Sequence, residues 1–127
     1  GATKLMEVEV AGAKSLEDAR KGARAICSSN LVKAAIFGAD ANWGRIVTAL
    51  GYSGAEVDPA LVDVYIGELL VAAKGTGLSF DEEKAKQILQ QKEIKLKVNL
   101  NLGTAEAKAW GCDLSYDYVR INADYRS

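Results

Sequence analysis

The sequence has 127 residues, 49% of them hydrophobic and 26% charged, with 16 basic and 17 acidic side chains for a formal net charge of −1. That is enough chain to bury a core as one unit, and the charge is too balanced to leave an electrostatic footprint for nucleic acid or a membrane surface. There is no histidine, which excludes Ser-His-Asp and Cys-His machinery, and any histidine-ligated zinc site, built from this chain alone.

Leu5 to Val10 reads as a strand through the alternation of Met6, Val8 and Val10. Ser15-Leu-Glu-Asp18 has the form of a capping box, with Ser15 bonding forward and Asp18 reaching back. The helix it opens carries Leu16, Ala19, Ala23, Ile26 and Cys27 on one face and should stop at Ser28-Ser29-Asn30, whose side chains compete for backbone bonds. Val32 to Phe37 is a short continuous apolar run, read as a strand buried on both faces.

Gly38-Ala-Asp-Ala-Asn-Trp-Gly-Arg45 turns into a second helix. Asp40 or Asn42 can cap it, Trp43, Ile46, Val47 and Leu50 form its apolar stripe, and Gly51 is placed to end it in the left-handed conformation. Asp58-Pro59 marks a loop. Leu61–Ile66 and Leu69–Ala72 suit a hairpin around Gly67-Glu68, and Gly75 and Gly77 mark another turn. A third helix is expected from about Asp81 to Gln91, with Ala85, Ile88 and Leu89 inward. Ile94, Leu96, Val98, Leu100 and Leu102 then alternate with Lys95, Lys97, Asn99 and Asn101, the pattern of a strand with one buried and one wet face. Past Gly103-Thr104, Ala105 to Cys112 can return antiparallel, and Asp113 can either cap a short final helix or lead into a further extended segment. The fold class is α+β, a mixed or antiparallel sheet with helices packed on it, spanning 1–127 as a single compact unit, with two subdomains as the alternative.

Motifs with chemical potential are few. Lys74-Gly-Thr-Gly77 offers glycine amides, but its spacing matches neither a P-loop nor a dinucleotide fingerprint, so a plain turn is favoured. Cys27 and Cys112 are too few for a disulfide framework and lack metal-ligand spacing; both read as inert thiols. Asp40, Asn42 and Arg45 beside Trp43 are a site candidate, against the plain alternative of a capped helix whose Arg45 pairs with a carboxylate. Asp81-Glu-Glu83 followed by Lys84 and Lys86 complements the helix dipole and requires no catalysis. No apolar run approaches a membrane span and no signal peptide is visible, so the cytoplasm is the expected compartment.

The ending Tyr118-Val-Arg-Ile-Asn-Ala-Asp-Tyr-Arg-Ser127 is rich in large side chains for a terminus. Ordering Tyr118, Val119, Ile121 and Tyr125 costs entropy that docking would offset. With Gly1-Ala-Thr-Lys4 and Gly38–Arg45, this tail resembles the C-terminal part of the ornithine acetyltransferase (glutamate N-acetyltransferase) family of arginine biosynthesis. The resemblance runs over essentially the whole chain, departing at Ala41, where proline is usual.

The resemblance implies a self-processing acyltransferase. Its precursor cuts itself before a threonine to give an α and a β chain; the new N-terminal threonine takes the acetyl group from N-acetylornithine, and glutamate receives it. A threonine whose own α-amine serves as base fits a chain without histidine. The same resemblance places that threonine, and a substrate-binding glutamate immediately before Gly1, outside this sequence, leaving no catalytic residue within it. The substrate-site positions that carry over are Asn122 and Ser127, with Arg120 and Arg126 as alternatives for a substrate carboxylate. The implied partners are the α chain and the remainder of the β chain in an α2β2 assembly, with no cofactor; some members of the family also take acetyl-CoA as acetyl donor, and this sequence leaves that choice open. Two other readings remain open at this point, a related self-cleaving hydrolase or aminopeptidase and a non-enzymatic interaction domain.

Overall fold

The computed structural model describes residues 4–113. In chain order these form β1 (Leu5–Ala13), α1 (Leu16–Ser28), α2 (Asn30–Phe37), α3 (Trp43–Gly51), a 3₁₀ turn (Pro59–Leu61), β2 (Asp63–Ile66), β3 (Leu69–Ala73), β4 (Thr76–Gly77), α4 (Glu82–Leu89), β5 (Glu93–Asn99) and β6 (Ala105–Cys112). The expected α+β class holds, with a six-stranded mixed sheet in the order β4-β3-β2-β5-β1-β6.

Strand periodicity sets the layers. Met6, Val8 and Val10 of β1 line up with Ile94, Leu96 and Val98 of β5, and all six are buried. Val64 and Ile66 of β2 extend that buried face. Helix side chains cover it: Ala19, Ala23, Ile26 and Cys27 from α1, Ile46 and Leu50 from α3, and Leu89 from α4 join one core cluster. Gly22 brings α1 close, since a Cβ there would sit 3.2 Å from Leu50 and 3.5 Å from Val10. Among the described residues no polar or charged side chain is buried.

The outer face is wet and pairs some of its charges. Glu9 lies between Lys97 at 3.5 Å and Lys108 at 3.9 Å, a ladder across three strands. The Lys97 ammonium also stands 5.9 Å from the centre of the Tyr65 ring. Such exposed pairs keep a sheet face soluble more than they stabilise it.

The apolar run at Val32–Phe37, expected as a strand, is helical. Ser29 caps α2 by accepting from the Val32 N–H at 3.2 Å. Val32, Ala35 and Ile36 face the core at helical spacing while Leu31 is 61% exposed. A short apolar run does not distinguish the two structures by pattern, and the cap decides.

β5 and β6 do not form the expected closing hairpin. β1 lies between them, parallel to β5 and antiparallel to β6. The chain leaving β5 crosses the end of β1, where the Leu102 and Gly103 N–H groups both donate to the Gly12 carbonyl at 2.8 Å. β1 can take strands on both sides because its buried face is continuous and both its hydrogen-bonding edges are free. Gly12 makes this crossing possible. Its φ is +68°, beside a bulge between Val10 and Ala13, and an added Cβ would stand 2.1 Å from Asn99 Oδ1. Gly12→Ala is therefore expected to destabilise the fold by about 1–3 kcal/mol through backbone strain alone, more with the clash. Chemical denaturation checks this, and an unchanged midpoint would contradict it.

Smaller differences have local causes. The Ser15 hydroxyl accepts from the Asp18 N–H as expected, but the Asp18 carboxylate accepts from the Glu56 N–H instead of reaching back. Gly51 is the last residue of α3, Tyr52 caps it, and the left-handed position falls at Gly54. The Asp113 carboxylate accepts from the Lys4 N–H at 3.1 Å, closing the sheet where β1 begins and β6 ends. The helix or extended segment expected after it lies outside the described residues.

Candidate functional site

The substrate positions Asn122 and Ser127, with Arg120 and Arg126, lie outside the described residues. The other sequence candidates can be placed. Asn42 caps α3, its Oδ1 accepting from the Arg45 N–H at 3.3 Å. Arg45 meets no carboxylate within ion-pair distance among the described residues; its Nη1 donates to the Leu31 carbonyl at 3.0 Å and so ties α3 to α2. Trp43 is half-buried, and an added Cβ on Gly77 would stand 2.8 Å from its ring. Ala39 turns the chain with φ +60°, and Asp40 is exposed. The motif thus works as a joint between two helices, with Asn42 and Arg45 engaged in backbone bonds.

Lys74-Gly-Thr-Gly77 is a tight turn between β3 and β4, with Lys74 and Gly75 both at positive φ. Its amides already have partners. The Lys74 N–H donates to Asp63 Oδ1 at 2.9 Å and the Gly75 N–H to the Val62 carbonyl at 2.9 Å. An amide already satisfied cannot cradle phosphate, so the plain turn is the correct reading.

Cys27 is buried, and its thiol is pushed up to about 11, chiefly by desolvation, against a smaller opposing pull from Lys33. A thiol held neutral is a poor nucleophile. At about pH 8 Cys27 is expected to resist alkylation in the native protein, with labelling rising only as pH climbs toward its raised pKa. Rapid labelling at neutral pH, followed by mass spectrometry of the Cys27 peptide, would contradict this. The sign for stability agrees: the unfolded thiol ionises first, so this group costs stability as pH rises above its ordinary value.

Sequence reasoning missed one feature. A cleft of about 440 Å³ wraps the end of β6, lined by Trp110, Gly111 and Cys112 on the strand and by Arg24, Cys27 and Lys33 on the helices. Arg24 and Lys33 read as ordinary solvated charges in the sequence; only the crossing of α1 over β6 brings them together. No group of three or more metal-ligating side chains occurs among the described residues, and no helix there is long and apolar enough to cross a membrane.

The described geometry contains no assembled catalytic constellation, and the comparisons place the chain. The ArgJ family profile matches residues 1–127. The chain belongs to the ArgJ family. The arginine biosynthesis bifunctional protein ArgJ of Symbiobacterium thermophilum is 58% identical over 127 residues, covering 100% of this chain and 32% of the relative. The Staphylococcus aureus (strain Mu50) protein of the same name is 56% identical over 127 residues, covering 31% of its length. A crystal structure of ArgJ from Bacillus halodurans superposes with a TM-score of 0.89 at 52% identity, covering 98% of this chain and 59% of the solved one. The chain therefore spans about a third of the length of these curated ArgJ proteins. The family resemblance read from the three motifs is confirmed, and so is the fold class.

Proposed function

We propose that this chain is the C-terminal part of the β chain of a glutamate N-acetyltransferase, moving the acetyl group from N-acetylornithine to glutamate through an acetyl-threonine. The carrying observation is the ArgJ match over the whole chain at 58% identity. A second observation supports cleavage into two chains. This sequence fills 59% of the solved ArgJ polypeptide but 32% of a curated relative, so the solved polypeptide is little more than half as long.

The chain's chemistry is compatible with a nucleophile supplied from elsewhere. It has no histidine, and the Cys27 thiol is held neutral. An N-terminal threonine uses its own α-amine as base and needs neither group. The two half-reactions balance: acetyl passes to the threonine oxygen as ornithine leaves, then to the glutamate amine as the hydroxyl is restored. The enzyme works in the cytoplasm as an α2β2 assembly, with no cofactor.

Asn122 and Ser127 serve the amino-acid end of the substrate. An asparagine amide both donates and accepts, matching an α-carboxylate and an α-ammonium, and Ser127 adds a hydroxyl. In the full enzyme, Asn122→Ala should lower kcat/KM for N-acetylornithine by about tenfold to a hundredfold, the cost of one hydrogen bond to a charged group. Steady-state kinetics with both substrates test this. Unchanged kcat/KM for both would remove Asn122 from the site.

A further inference from the structure

We propose that the cleft at the end of β6 is the seat of an extended acidic segment from the part of the ArgJ protein outside this sequence. Two cations converge there. Arg24 and Lys33 both line it, and among the described residues neither meets a carboxylate within ion-pair distance. Lys33 lies over the strand, its Cε 3.8 Å from where a Gly111 Cβ would be. Glu7 and Glu93 line the neighbouring cavity that shares Leu5 and Trp110, but among the described residues no acidic side chain lines this cleft. This contrasts with the outer sheet face, where Glu9 already answers Lys97 and Lys108.

The apolar part of the cleft is also uncovered. Trp110 is 58% exposed and Leu5 40% exposed, diagonal neighbours on β6 and β1. The indole is fixed in place, its Nε1–H donating to Glu7 Oε1 at 3.2 Å. The register puts the indole on the outer sheet face with Glu7, while Arg24 and Lys33 approach the same strand end from the helix face, so a chain added along this edge reaches the aromatic and the cations with alternate side chains. β6 is an edge strand of eight residues with no strand beyond it among the described residues. Such an edge accepts extended chain.

The occupant follows from length and charge. About two-thirds of a curated ArgJ protein lies outside this sequence and needs surface to pack on. Residues 114–127 carry Asp117 and Asp124 but also Arg120 and Arg126, and so bring no net negative charge to two cations. The proposal rests on ArgJ membership and not on the acetyl-transfer reading.

The experiment uses the intact ArgJ protein carrying this chain. A zero-length carbodiimide cross-link from the Lys33 amine should join a carboxylate on a peptide outside residues 1–127. A link into residues 114–127, a link to a second copy in an isotope-mixed sample, or no link at Lys33 would each overturn the proposal. Thiol labelling gives an independent readout. Cys112 should be protected in the intact protein, and Arg24→Glu with Lys33→Glu should speed its labelling more than about tenfold. Cys27 should stay unlabelled in that variant, which separates undocking from unfolding. Equal Cys112 labelling before and after charge reversal, with Cys27 protected in both, would also overturn it.

Discussion

In an assay of the isolated 127-residue chain, no acetyl group passes from N-acetylornithine to glutamate above the uncatalysed background. The expectation comes from what the chain can offer as a nucleophile. Its threonines are Thr3, Thr48, Thr76 and Thr104, none of them at the N-terminus of this sequence. The Thr48 hydroxyl is spent on the Gly44 carbonyl at 2.9 Å. An internal threonine has no α-amine beside it and no histidine anywhere in the chain to take its proton. The Cys27 thiol, raised to about 11, is protonated at neutral pH. Loss of a nucleophile removes the covalent route altogether, so the deficit should be total at any substrate concentration. Glutamate-dependent ornithine release by the purified chain would show that the reactive group had been placed wrongly.

Leu96→Ala should destabilise the fold by about 2–5 kcal/mol, the range for truncating a fully buried leucine. Leu96 is 1% exposed on β5, the strand between β2 and β1, with Ile66 and Val8 directly beside it on the same buried face. Its neighbours on both sides are held by strand registers, so the cavity cannot collapse easily and the cost should fall in the upper half of that range. Lys95→Ala, one residue away on the wet face, should stay within about 0.5 kcal/mol. Urea unfolding of the pair compares the faces directly. Equal shifts would mean that the assignment of inner and outer faces is wrong.

Much of the sheet was legible because alternation is a strong signal where one face is wet. The lysines and asparagines between Ile94 and Leu102 announced β5, and Met6, Val8 and Val10 announced β1. Single polar residues marked helix starts equally well: Ser15, Asn42 and Asp81 each cap the expected helix. Ser29 shows the limit of that signal. It lies where a stop was expected, and it caps the next helix at the same time. Sheet order was not legible, because nothing local in Ala105–Cys112 distinguishes pairing with β5 from pairing with β1. That choice depends on Gly12, whose missing Cβ lets the chain cross.

The site divides in the same way. The fate of Lys74–Gly77 was decided by Asp63 and Val62, eleven or more residues away, which take up its amides. On the plain reading Arg45 was expected to pair with a carboxylate; its Nη1 instead donates to the Leu31 carbonyl in the first turn of α2, a partner fourteen residues away that no local pattern announces. The cleft around Trp110 could not be read at all, since Arg24 and Lys33 come from different helices. Asn122 and Ser127 stand on family resemblance, in a tail outside the described residues.

In the proposed reaction the acetyl group rests on a threonine between donor and acceptor. The direct measurement is to mix the intact ArgJ enzyme with N-acetylornithine, leave out glutamate, quench with acid and map the acetylated peptide by mass spectrometry. One acetyl group is expected on a threonine outside residues 1–127, and it should disappear when glutamate is added before the quench. An acetyl group on a residue within 1–127, or turnover with no protein-bound acetyl at any time, would contradict the account.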